Sequence, residues 1–123
     1  MKASDLMVGD WVSYCGFYNK VIYIGQKVSM YNGKGTEFTT DPEYIRPIPL
    51  TEEILVKNGW DFTKRKYGVY CKEDTNHDAE LSKDGDGFYW SINTDEYEIL
   101  RIDYVHKLQH LLRLAGIEKE IEL

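Results

Sequence analysis

Between Gly9 and Pro49, apolar and polar residues alternate in short runs interrupted by turn-forming residues, which is how small antiparallel strands with one covered face read in a sequence. The runs are residues 11–15, 20–25, 27–31, 36–40 and 44–48. Asn32-Gly33 marks the hairpin between the third and fourth runs. Pro47 has no amide hydrogen for a central ladder, so the fifth run belongs at a sheet edge. Residues 1–48 are therefore expected to form an SH3-like antiparallel barrel or curled sheet.

A short helix is expected over residues 49–59. Thr51 is placed to cap it, Glu52 and Glu53 suit the positive end of its dipole, and Gly59 ends it in a left-handed conformation. Strand patterning then returns at residues 60–63, 67–72, 79–82, 88–93 and 98–102, with turn chemistry at 84–87 and 93–95, and an antiparallel meander is the economical assembly. A last helix is predicted over residues 104–115, with Asp103 as N-cap and Gly116 as its stop. Residues 118–123 form a charged tail that could add one further strand. The fold class is α+β, with a β unit at 1–48 and an α+β unit at 49–123 packed as one compact body.

Stepping about 100° per residue from Leu108 brings Tyr104, Val105, Leu111, Leu112 and Ala115 into one apolar stripe, which is expected to lie on the sheet. The same geometry puts His106, His110 and Arg113 on the opposite side, facing solvent or a partner.

Composition narrows the function classes. The chain has 123 residues, 42% of them apolar and 14% aromatic, enough for a buried core, and the many tyrosines favour sheet. The net charge is −6, and residues 1–48 balance five basic against five acidic side chains, so the negative excess lies in 49–123. Such a domain repels a phosphate backbone, and the Lys64-Arg65-Lys66 cluster reads as a solvated hairpin tip, so no direct nucleic-acid partner is expected. Cys15 and Cys71 are far apart and sit in strand-like runs, where a thiol acts as a small apolar filler in a reducing compartment. No apolar run has the length of a signal peptide or a membrane span, so a cytoplasmic protein without a membrane partner is expected.

The tract from Tyr104 to His110 carries the strongest candidate chemistry. His106 and His110, four apart, are neighbours on a helix and are weak candidates for a divalent metal. In zinc peptidases a glutamate directly follows the first histidine and activates the water; here that position is Lys107. Asp74-Thr75-Asn76-His77-Asp78 starts like a calcium loop but has Ala79 and Gly85 where glycine and glutamate are required. Gly33-Lys34-Gly35 lacks the spacing and the following helix of a phosphate loop. Cys71 with His77 is the remaining nucleophile–base pairing that proximity could create. No catalytic set is complete, and no cofactor is expected. The dense aromatic residues Trp11, Tyr14, Phe17, Tyr18, Tyr23 and Tyr31 are the candidate binding face, since small sheets use such side chains to receive extended peptides.

Three segments together carry a resemblance: residues 6–12 (Leu-Met-Val-Gly-Asp-Trp-Val), residues 48–55 with Asn58-Gly59-Trp60, and Tyr104-Val105-His106 with Leu108-Gln109. The chain resembles a group of small uncharacterised proteins from Bacteroides-type gut bacteria, their mobile elements and phages, over nearly its whole length. That resemblance implies no activity, cofactor or substrate. Asparagine usually stands in that group at the position of His110, a departure that weakens the metal reading and marks the anchor residues as structural.

Three functions follow as expectations. The leading one is a non-catalytic binding or adaptor module whose protein or peptide partner meets the aromatic face. The second is an acidic accessory protein that blocks a nucleic-acid-binding host protein. The third is a metal-dependent hydrolase using His106 and His110.

Overall fold

The structure is a computed structural model that describes residues 1–60, 79–85, 87–92 and 98–123. Over these residues the chain is α+β, with a five-stranded and a three-stranded antiparallel sheet and two α-helices. It divides into two compact units, residues 1–49 with 104–110 and residues 50–103 with 111–123.

The first unit holds β1 (Trp11–Tyr14), β2 (Phe17–Ile24), β3 (Val28–Tyr31), β4 (Glu37–Thr40) and β5 (Arg46–Pro47), ordered β4-β3-β2-β1-β5. The two end strands do not pair, so the sheet is not closed into the expected barrel. The predicted fifth run explains this: Pro42–Tyr44 forms a 3-10 turn, which leaves β5 two residues long, and one of these is a proline that cannot donate.

Cys15 and Gly16 form the two-residue turn between β1 and β2, with φ of 51° and 76°, the left-handed values that a tight hairpin needs. Cys15 is therefore not an apolar filler inside a strand; its thiol is exposed. The second strand accordingly begins at Phe17 and not at Lys20.

Pairing register assigns the two faces. Val12 opposite Asn19, Tyr14 opposite Phe17, and Val21, Met30 and Phe38 in one row project to the inner face. There Val12, Val21, Val28 and Met30 pack with Leu6 and Ile45 as the buried core of this unit. Ile22 is the extra residue at an irregularity between Val21 and Tyr23, and it stays exposed.

In the second unit the short helix α1 (Glu52–Lys57) matches its sequence signals: Thr51 Oγ1 accepts a hydrogen bond from the Ile54 amide at 3.3 Å, and Gly59 has φ 96°. Strands β6 (Ala79–Asp84), β7 (Gly87–Ile92) and β8 (Glu98–Ile102) form the expected meander. The tail contains no strand. Instead the Asn58 carboxamide holds its backbone, donating to Glu122 O at 2.8 Å and accepting from Glu122 N at 2.7 Å.

Helix α2 (Val105–Leu114) buries Val105, Leu108 and Leu112 from the predicted stripe, and Arg113 is exposed as expected. Of the expected strand at 60–63 only Trp60 is described, and it is not in a strand; the rest of that run, the run at 67–72, the Lys64-Arg65-Lys66 cluster, Cys71, His77 with the loop at 74–78, and the turn at 93–95 lie outside the described residues.

Candidate functional site

The chain enters the first unit through a 3-10 turn at Ala3–Asp5 and then a tight turn at 7–10. The Asp10 amide donates to Met7 O at 3.0 Å, and the Asp10 carboxylate accepts from the Met7 amide at 2.7 Å. Gly9 sits inside this turn at φ 95°, a conformation that disfavours any side chain. The result is a carboxylate with no solvent exposure at the start of β1.

The first half of α2 supplies its partners. Gln109 accepts from the Trp11 amide at 2.9 Å and donates to Gly9 O at 3.0 Å, so one carboxamide satisfies both backbone groups that flank Asp10. His110 Nε2 lies 2.7 Å from Asp10 Oδ2. The His106 ring packs edge-on against His110 at 5.6 Å between centroids and stacks on Tyr104 at 5.9 Å.

This overturns the outward placement of the two imidazoles. His106 is 4% exposed and His110 is half-buried. A helical wheel ranks faces by hydropathy alone; here the polar face of α2 is covered by a loop about one hundred residues away in sequence that brings matching polar groups. Only Arg113 is exposed as the wheel predicts.

Burial pushes His106 below the ordinary imidazole value, because a charged ring loses its hydration there. The Asp10 carboxylate opposes that shift, His110 and Lys107 add to it, and Asp5 opposes it weakly. His106 Nδ1 is buried and has no hydrogen-bond partner among the described residues. An unfilled acceptor costs less than an unfilled donor, so the neutral ring is best served with its proton on Nε2.

The two imidazoles border a groove of about 560 Å3 that also touches Ser4, Asp5, Tyr104 and Lys107. Its chemistry is that of an oriented base: a buried carboxylate fixes His110 through Nε2, as carboxylates fix histidines in proton-transfer sites. Among the described residues no three His, Cys, Asp or Glu side chains are grouped to hold a metal ion. His106 meets His110, and His110 alone meets Asp10, whose carboxylate also accepts from the Met7 amide.

The aromatic candidates divide between the two faces of the sheet. Trp11, Tyr18, Tyr23 and Tyr31 lie on the outer face, where Trp11, Lys20, Tyr31 and Glu37 form one cross-strand row and the Lys20 ammonium sits 5.3 Å from the Trp11 ring centre. Tyr18, Tyr23 and Tyr31 are exposed. Tyr14 and Phe17 share the inner face with Phe38, at 5.4 Å edge-on and 6.1 Å stacked. Phe17 sits beside the turn and is nevertheless exposed, whereas Tyr14 is partly buried against the core.

No protein-family model, curated protein or solved structure matches this chain. Among the described residues, no helix is long and apolar enough to cross a membrane.

The residues missed in the sequence are Asp10 and Gln109. A faint signal existed for Gln109, which borders the apolar stripe one step from Leu108. Elsewhere, two carboxylates of the acidic second unit are paired, Glu52 with Lys83 and Asp103 with Arg101, each at 2.8 Å.

Proposed function

We propose that the protein is a non-catalytic binding module and that its partner is an extended, weakly charged protein segment received on the outer face of the five-stranded sheet. The observation that carries this reading is the projection of Trp11, Tyr18, Tyr23 and Tyr31 from one open face. Aromatic rings present large apolar area at low entropic cost, and their spacing across strands suits an extended chain, including proline-rich ones. The charge balance of residues 1–48 favours a partner without strong charge of either sign. The test compares wild type with Tyr18→Ser/Tyr31→Ser in cross-linking pull-downs read by mass spectrometry. Partners lost in the variant, at unchanged melting temperature, support the module; identical recovery by both proteins contradicts it.

A second reading has one specific observation in its favour. His110, oriented by Asp10 at 2.7 Å beside His106, is half of a hydrolytic set, and Ser4 borders the same groove. On this reading the protein is a hydrolase without the two-histidine metal site. Turnover of ester or phosphodiester probes that disappears in His110→Asn would favour it over the binding module.

A further inference from the structure

The seam between α2 and the 7–11 turn holds a buried imidazole, His106, to which neither reading assigns a role. His106 is almost fully buried, its Nδ1 has no partner among the described residues, and its ring touches a second imidazole that is itself bound to a buried carboxylate. A neutral His106 fits this place. A charged one does not: it carries N–H on both nitrogens, and the Nδ1 proton would be buried without an acceptor.

We propose that this seam is an acid-sensitive latch, in which protonation of His106 loosens the first half of α2 from the turn that carries Asp10.

The groups facing His106 decide the direction. Its own helix contributes Lys107 and His110, both of which oppose a further positive charge. Asp10 from the 7–10 turn and Asp5 from the 3-10 turn favour it. Asp10 is the stronger of these two, but its carboxylate is already committed to the Met7 amide and to His110. Desolvation outweighs the carboxylates, so the folded protein holds His106 below its ordinary value. The unfolded chain then takes up the proton first as pH falls past about 6.5, and stability declines from there until the folded ring itself titrates.

That trend runs against the bulk electrostatics. The chain carries −6 near neutrality and has an isoelectric point near 5.0, so mild acid lowers its net charge and relieves self-repulsion. Destabilisation between pH 7.5 and 5.5 therefore needs a specific buried base.

Amide exchange by NMR on the full chain tests the latch, because the Trp11 amide donates to Gln109 and reports on the seam directly. After correction for intrinsic exchange rates, protection at Trp11 is expected to fall several-fold, with a ceiling of about tenfold, between pH 7.5 and 5.5 while the β2–β3 ladder keeps its protection. His106→Phe retains an aromatic ring and removes the titration; its Trp11 protection is expected to be flat over the same range, whereas His77→Asn should behave as wild type. Unchanged Trp11 protection in wild type, or the same loss in His106→Phe, would overturn the proposal. Should His106→Phe fail to fold, the Cε1 proton of His106 in wild type decides: a midpoint below about 6.5 supports the latch, and one at or above it refutes it.

Discussion

The seam between α2 and the 7–11 turn and the outer face of the five-stranded sheet are both polar and aromatic, yet they are built in opposite ways. In the seam, Asp10, His106 and Gln109 are buried, and Asp10, Gln109 and His110 are bonded to groups about one hundred residues distant. On the outer face, Tyr18, Tyr23 and Tyr31 are exposed on strands whose stability comes from the other side of the sheet. The difference teaches which polar residues hold the fold and which are left over for recognition. A buried polar group without its partner costs stability, and an exposed ring costs almost none.

The sharpest way to break the comparison is to remove the centre of the seam. Asp10→Ala deletes a buried carboxylate together with the Met7 and His110 interactions, and a loss of about 3 kcal/mol is expected from denaturant titration. A loss near zero would place the seam in the same class as the outer face. Gln109→Ala strands the Trp11 amide and the Gly9 carbonyl, and about 2 kcal/mol should follow. Thr51→Ala gives a yardstick from the second unit: one N-cap hydrogen bond at an exposed helix start, worth about 1 kcal/mol. At the low end, Tyr18→Ser/Tyr31→Ser should change stability by less than about 0.5 kcal/mol while abolishing partner capture. A large stability loss there would make the outer face structural and remove the basis of the binding module.

Local signals in this sequence were easy to read. Thr51 and Gly59 bound α1, the strands β6–β8 pair as an antiparallel meander, and the stripe of Val105, Leu108 and Leu112 is buried. Barrel closure was not readable, because it depends on how many residues of the 44–48 run reach extended geometry beside Val12, and Pro47 with the 3-10 turn leaves two. The turn at Cys15-Gly16 hid behind a cysteine that tolerates a left-handed backbone only because the hairpin imposes it. The seam was hardest to see. Periodicity measures how apolar a helix face is, whereas Gln109 and His110 are inward because a distant glycine and aspartate match their hydrogen bonds, and His106 packs against the ring of His110.

A double-mutant cycle on Asp10→Asn and His110→Gln at pH 7 measures that match most directly. If the imidazole and the buried carboxylate form one structural unit, the two changes should couple by about 1 kcal/mol or more. Additivity within about 0.3 kcal/mol would mean that His110 and Asp10 are neighbours without an interaction, and the inward seam would lose its foundation.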